Sequence, residues 1–376
     1  MAHFKILALG DAVTDITFTT TRAHTIALLA QCESRAEADV EIGGCARVAG
    51  DVARAVARAV GADARVTSGG SAANVAKGLS ALTRDAKSFT TRNQCAFVGA
   101  VDDDDVGEAY ARAIRASGVD ATLIVHATRD FEFDDERGSA RCVCFVDEFG
   151  QRTMRTYLGA SAKTQARDLP NEAFRDVDAL HVEGYALYKP EVMKRACALA
   201  KRANANALIS IDLASFEVVR YCRQALMEAL TSGEIDVVFC NEDEARELVN
   251  GEFNGGDLNG RNAPRPSEAV ENAAIDFLLR HVKVAAVSRG KRGCVARGSD
   301  GDVGVSAAEG VEALDTTGAG DTFTAAFLHA YLRGGTMQQC GDAGCAAGAE
   351  IVQVRGAEMS EERWARVREK LEAILG

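Results

Sequence analysis

The string Asp315-Thr316-Thr317-Gly318-Ala319-Gly320-Asp321-Thr322-Phe323 leads directly into the apolar, helix-forming run TAAFLHAYL. Small residues at a helix start let backbone N–H groups approach an anion closely, and the helix dipole favours negative charge at that end. Such a nest suits a phosphoryl group in transfer. A carboxylate in the same turn is repelled by phosphate, so Asp321 needs its own explanation. It can accept the proton of an attacking hydroxyl, a contribution of roughly 10²–10⁴ in rate. A lone Gly-x-Gly-Asp describes a helix cap equally well. The full nine-residue string favours the chemical reading.

Four further clusters could serve the same chemistry. Ser68-Gly69-Gly70-Ser71-Ala72-Ala73-Asn74 opens an alanine-rich helical stretch. Its glycines admit close backbone approach, and Asn74 offers a donor and an acceptor to a diol. Asp11 and Asp15 follow the first apolar run, where carboxylates can accept hydrogen bonds from vicinal hydroxyls; a solvated turn would read the same way. Asn241 and Glu244, one helical turn apart after VVFC, could orient a hydrated Mg²⁺, or simply cap a helix. Ser288-Arg289-Gly290-Lys291-Arg292-Gly293 after VAAV is basic and glycine-rich, fit for nucleotide phosphates or for a tight turn.

Several chemistries lack their signatures. Gly290-Lys291 is followed by Arg292 rather than Ser or Thr, so no P-loop is present, and no Gly-x-Gly-x-x-Gly follows the first strand. No Gly-x-Ser-x-Gly or His-Glu-x-x-His occurs, and the six histidines do not cluster. A formal charge of −12 opposes nucleic-acid and anionic-membrane partners. Eleven cysteines at scattered spacings suggest neither zinc nor a disulfide framework, and predict reduced thiols in a cytoplasmic setting. MAHFKILALG leaves no room for a signal peptide, and no apolar stretch reaches the ~18 residues that span a bilayer.

The elements that must position these residues are short apolar runs: Phe4–Leu9, Cys95–Val98, Ala179–Val182, Ala207–Ile211, Val237–Cys240 and Val284–Val287. They read as buried strands, alternating with helices such as Pro190–Ala203 and Ser267–His281, the latter N-capped by its serine. This alternation predicts an α/β fold with a mostly parallel sheet and ligands at the C-terminal strand ends. With 376 residues, 47% of them hydrophobic, the chain can bury a core of one large domain or two. The segment 141–158 breaks the rhythm and reads as a β-hairpin turning at Glu148–Gln151; with 12–20 it could form a small antiparallel sheet, a lid. Residues 36–64 read as largely helical, and 251–266 as a surface loop.

Together these motifs resemble the ribokinase or pfkB-type carbohydrate kinase family over nearly the whole chain. The resemblance implies a three-layer αβα core (1–11, 49–121 and 159–376) and a β lid (part of 12–48, and 122–158) closing over the substrate. It implies ATP and Mg²⁺, with Asp321 as base and the N–H groups of Gly318, Ala319, Gly320 and Asp321 as anion hole. It places Asp11, Asp15, Gly69, Gly70, Ser71 and Asn74 at the acceptor, and Asn241, Glu244, Ser288, Gly290 and Gly293 at Mg²⁺–ATP. An activating K⁺ would be held by Asp315 and Thr317 with the stretch 351–360, including Ile351, Val354, Gly356 and Ser360. Members sometimes pair through their lids as homodimers.

Within the family, Gly69-Gly70-Ser71-x-x-Asn74 and Arg152–Ser161 look closer to the adenosine-kinase-like branch, which favours a nucleoside 5′-hydroxyl as acceptor. Asp11 departs from that branch, where asparagine is usual. Phe18, Phe145 and Tyr157 are candidates to stack on a base. A free sugar or a sugar phosphate is an alternative acceptor, with Arg152, Arg155 or Lys163 meeting the latter's phosphate, and a non-catalytic nucleotide- or sugar-binding regulatory protein is the alternative to an enzyme.

Overall fold

A computed structural model describes residues 4–84, 94–127, 137–253, 268–307 and 310–376. Its strands, among the described residues, are β1 (Lys5–Leu9), β2 (Val13–Thr19), β3 (Cys45–Arg47), β4 (Arg65–Gly69), β5 (Gln94–Asp102), β6 (Asp120–His126), β7 (Arg141–Val146), β8 (Arg152–Tyr157), β9 (Ala179–Glu183), β10 (Leu208–Asp212), β11 (Val237–Asn241), β12 (Val284–Ser288), β13 (Cys294–Gly298) and β14 (Val303–Ser306).

The strands form a nine-stranded sheet, in the order β14-β13-β12-β11-β10-β9-β1-β5-β6, and a five-stranded sheet, β3-β8-β7-β2-β4. Every pairing from β12 to β6 in the large sheet is parallel, and only β13 and β14 run antiparallel. All six apolar runs are strands of this sheet. They are apolar throughout because both faces are covered. Val238 and Cys240 face the helices Pro190–Ala203, Phe216–Tyr221, Arg223–Thr231, Glu242–Phe253 and Glu268–Leu278. The alternate residues Val237 and Phe239 face Ser71–Thr83, Ala319–Leu332, Met337–Ile351 and Glu361–Leu375. Three layers result.

The small sheet differs from the expected antiparallel one. The pairs β7–β8 and β2–β4 are antiparallel, but β2–β7 and β3–β8 are parallel, so the sheet is mixed. Its membership also departs from the expected boundaries. β4, placed with the core, pairs with β2, whereas β6, at the expected start of the lid, pairs with β5 in the large sheet. Both are weakly apolar strands whose sheet is chosen by a distant partner rather than by their own pattern. The region 36–64 is helical over Glu37–Asp39 and Gly61–Asp63, each a 3₁₀ turn, and over Gly50–Val60; β3 lies between the first turn and the α-helix. The loop expected at 251–266 lies outside the described residues beyond Phe253, and so does the expected cap Ser267. No helix among the described residues is long and apolar enough to cross a membrane.

Period-two alternation gives the small sheet two roles. Val143 and Phe145 pack against Leu28, Leu29, Val56 and Val60 of the helices Arg22–Cys32 and Gly50–Val60. Their neighbours Cys142, Arg152, Met154 and Thr156, with Val13 and Asp15 of β2, face the other way and line a cavity between the sheets.

Candidate active site

The cavity is about 510 Å³ and opens at the C-terminal ends of the parallel strands. Four strands deliver a polar residue there as their last: Glu183 from β9, Asp212 from β10, Asn241 from β11 and Ser288 from β12. Asp11 follows β1, and the segments 316–321 and 70–74 complete the wall. This is where an α/β sheet with covered faces leaves its strand ends uncapped.

Two helix starts meet in the cavity. Gly318, at φ +73°, ends the loop and caps Ala319–Leu332. The Ala319 N–H is spent on Thr316 O at 3.2 Å. That leaves the N–H groups of Gly320 and Asp321, which as first-turn donors have no acceptor within the helix. Gly70, at φ +95°, opens Ser71–Thr83; a Cβ on it would lie 2.2 Å from Asp11 O, so only glycine lets the two segments touch.

Across this junction Ser71 Oγ donates to Asp321 Oδ1 at 2.7 Å and Asn74 Nδ2 donates to Asp321 Oδ2 at 2.8 Å. Burial raises the Asp321 pKa above the ordinary carboxylate value, opposed by these two bonds and by Lys77 and Arg152. Asn74 Oδ1 is buried and carries no hydrogen bond. Lys77, one turn beyond Asn74, donates to Ser68 O and to Glu358 Oε1, the latter at 3.1 Å. Asp15 lies flat against Gly69, where a Cβ would come within 1.9 Å of its Oδ2. Burial pushes the Asp15 pKa up to about 7, with Lys77 the main opposing influence and Asp321 and Glu358 adding to the rise.

The expected nucleotide residues separate into two groups. Asn241, Glu244 and Ser288 line the cavity, but Gly290 and Gly293 do not. Asn241 and Glu244 form a reciprocal cap: Asn241 N and Nδ2 donate to Glu244 Oε2 and Oε1 at 2.8 and 2.7 Å, while Asn241 Oδ1 accepts from the N–H of Asp243 and Glu244. Burial, then the charge of Asp212, raises the Glu244 pKa well above its ordinary value. Asp212 is raised to about 6, chiefly by burial, with Asp321 adding to the rise. In the basic turn 288–293 both arginines are already engaged within the protein. Arg289 is buried, donating to Arg292 O and Cys294 O beside Glu271, and Arg292 pairs with Glu242 and Glu271.

The expected cation segments do meet. Asp315 Oδ1 accepts from Thr317 N and Oγ1 at 2.9 and 2.6 Å, and its Oδ2 accepts from Gly356 N at 2.8 Å. Of the carbonyls nearby, that of Ile351 accepts Val354 N and that of Arg355 accepts Arg65 Nη1. Ser360 caps the helix Glu361–Leu375. Of these residues only Thr317 lines the cavity.

Three expectations are corrected. Phe18 and Phe145 stack edge to face at 6.2 Å on the helix-covered side of the small sheet, and Tyr157 donates to Arg137 O; none lines the cavity. Strand alternation turns them away. The same alternation buries Arg155 against Glu33 and Glu41 O, so it cannot meet a substrate phosphate, and Lys163 is not at the cavity either. Arg152 is.

Residues the motifs did not mark are Glu183 at the end of β9, Tyr185, Tyr188 and Lys189 from the segment that follows it, and Asp212 with Thr324. Glu183 is buried, accepting the N–H of Asp11 at 2.7 Å and of Ala72 at 3.0 Å, and burial lifts its pKa to about 8. The signal was available: VEGYALYK places a carboxylate, two aromatic rings and an ammonium directly after a buried strand.

The model of the pfkB family of carbohydrate kinases matches residues 44–364. The chain is 23% identical over 309 residues to a nucleoside kinase of Methanocaldococcus jannaschii, covering 82% of this chain and 87% of that one. In structure it is similar to a probable sugar kinase from Rhizobium etli, with TM-score 0.79, 26% identity and coverage of 99% and 100%. It is likewise similar to the adenosine kinase of Sinorhizobium meliloti, with TM-score 0.77, 26% identity and coverage of 98% and 99%. A match over most of the chain, on a fold whose strand ends gather these carboxylates around two glycine-opened helices, makes this protein a member of the pfkB carbohydrate kinase family, phosphotransferases with an alcohol group as acceptor.

Proposed function

We propose that the cavity binds ATP and the acceptor together and that Asp321 deprotonates the attacking hydroxyl of a nucleoside or free sugar. The observation that carries this reading is the setting of Asp321: a half-buried carboxylate in the first turn of a helix, fixed by Ser71 and Asn74, beside two first-turn N–H groups with no intrahelical acceptor. Its raised pKa makes it a better proton acceptor than an exposed aspartate. The N–H groups of Gly320 and Asp321 lie where charge develops on the transferred phosphoryl oxygens. Asn74 Oδ1, buried without a partner, suits an acceptor hydroxyl, and Asp15 suits a second one.

Glu244 and Asp212 fit Mg²⁺: a buried and a half-buried carboxylate whose charged forms oppose each other would both gain from a divalent cation. When bound, Mg²⁺ supplies charge neutralisation of the β- and γ-phosphates. For K⁺, Asp315, Thr317 and the carbonyls of 351–356 supply oxygen only, the donor type this ion takes. The small sheet acts as the lid, excluding water from the cavity it roofs. Tyr185 and Tyr188 give the cavity two rings to stack on a base, which favours a nucleoside acceptor. Eleven free thiols favour a reducing, cytoplasmic setting. β4 leaves Val66 62% exposed at the lid's edge, where a second copy could pair.

Coupled ADP release with Mg²⁺–ATP, with and without K⁺, is measured across adenosine, inosine, guanosine, ribose and fructose. Turnover with one of the nucleosides, reduced ~10²-fold or more in Asp321→Asn with both KM values within a few-fold, is the expected result. Near-normal kcat in that variant removes the base assignment. Sugar turnover without nucleoside turnover removes the nucleoside preference.

A further inference from the structure

Away from the cavity, cysteines gather where β13 meets the helix Met337–Ile351. Cys294 opens β13 opposite Ser306 of β14 and is fully buried. Its side chain faces the helix layer, in one apolar cluster with Cys340 and against Cys345. The approach is closest at Gly341. A Cβ there would lie 2.4 Å from Ser306 Oγ and 2.9 Å from Cys294 Sγ, so the missing side chain lets the helix rest on both residues. Cys345 follows Gly341 by one turn on the same helix face. Its side chain leans back toward the helix N-terminus, over the position that Gly341 leaves bare. There the two sulfurs meet in a hydrogen bond. Cys340 does not join them, since its thiol donates to Gly335 O at 3.5 Å.

The setting gives the pair a reactive form and a way in. The bond from Cys345 lowers the Cys294 pKa against the effect of burial, and Ser306 and Arg289 add to the fall. The same bond, with burial, raises Cys345. One proton therefore serves both sulfurs once the pair has ionised. Cys345 is half-buried, which admits a small reagent, and its partner needs no access of its own. Neither residue lines the cavity, so phosphoryl transfer makes no use of them.

We propose that Cys294 and Cys345 are an oxidation site outside the catalytic cavity, at which a small peroxide converts the thiol contact into a disulfide that staples β13 to the helix Met337–Ile351. The Cys345 thiolate, its proton passed to Cys294, attacks one oxygen of hydrogen peroxide. The O–O bond breaks, hydroxide leaves and takes up a proton as water, and Cys345 becomes a sulfenic acid. Cys294 then attacks that sulfur. The S–S bond forms, the S–O bond breaks, and the leaving oxygen departs as water with the proton from Cys294. The two sulfurs are oxidised and the peroxide oxygens are reduced. Closing a loop of about 50 residues takes conformational freedom from the unfolded chain, so the disulfide holds the folded one. A dithiol reverses it by exchange, and in a reducing setting the pair rests as thiols.

The test treats the reduced full-length protein with hydrogen peroxide at mildly alkaline pH, where the pair ionises. Mass mapping of unreduced peptides should recover Cys294 joined to Cys345 with the loss of two hydrogens, and a dithiol should restore both thiols. The denaturation midpoint of the oxidised protein should shift above that of the reduced protein. Cys345→Ser should keep wild-type turnover when reduced and show neither the cross-link nor the shift, whereas Cys340→Ser should show both. A wild type whose two thiols survive the peroxide overturns the site. So does one in which Cys345 goes on to a sulfinic acid beside an intact Cys294, or one cross-linked through Cys340. A cross-linked protein that unfolds no later than the reduced one overturns the staple.

Discussion

Asn74 Nδ2 donates to Asp321 Oδ2 at 2.8 Å, joining two residues 247 positions apart. The bond ties the start of the helix Ser71–Thr83 to that of Ala319–Leu332, so the element expected to hold the acceptor also orients the carboxylate proposed as the base. It also favours the charged form of Asp321, partly offsetting burial.

Asn74→Ala should therefore shift the acid limb of the kcat/KM profile to higher pH, because losing the donor raises the Asp321 pKa further. Serine 71 still holds the other oxygen, so the base stays in place and kcat at high pH should fall by about tenfold rather than vanish. An acid limb unchanged from the wild type would separate Asn74 from the titration of the base.

Stability of the ligand-free protein should fall as pH rises from about 4 to about 7. Burial pushes Asp15 from the ordinary 3.8 up to about 7, so between these values the folded chain holds a proton that the unfolded chain has released. The contribution of Asp15 to the slope of unfolding free energy with pH is negative in that window and flat above it. Asp15→Asn should make the denaturation midpoint less dependent on pH there, while raising acceptor KM. Equal pH slopes in the two proteins would refute the burial of Asp15.

Arg155 serves the lid and not the substrate. Its guanidinium is buried against Glu33, the residue that ends the helix Arg22–Cys32. Arg155→Met should cost less than the about 3–5 kcal/mol of a fully stranded buried charge, since Glu33 keeps its pair with the more exposed Arg35 at 3.0 Å, and adding Glu33→Gln should recover part of the loss. Chemical denaturation of the single and double variants reads this directly. A single variant that is fully stable but loses activity would return Arg155 to the substrate.

Glu244→Gln should separate capping from metal binding. A glutamine has one acceptor for the two donors of Asn241, so loss of the cap is expected to cost about 1 kcal/mol. The Mg²⁺ concentration for half-maximal rate should rise by about tenfold if the lost carboxylate also faces the metal. Titration of Mg²⁺ at saturating ATP checks it, and an unmoved curve would leave Glu244 as a cap alone.

The residue types and their local spacing determined the glycine-rich helix start at 315–321, the glycine-opened helix at 69–74, the hairpin 141–158 and the buried strands of the large sheet. These are short-range patterns, and local physics writes them: period two, period 3.6, and the need for glycine where backbones touch. Tertiary structure alone decided the rest. β4 and β6 found their sheets through partners far away in sequence. Alternation in the completed lid turned Phe145 and Arg155 outward and Arg152 inward. The turn 288–293 looked basic, but Glu271 and Glu242 had already taken its arginines. Glu183 and Lys189 became part of the site because β9 lies beside β1, which brings them against Asp11 from more than 170 positions away. No local pattern records a long-range contact of that kind, since the energy that selects it exists only once the sheet has formed.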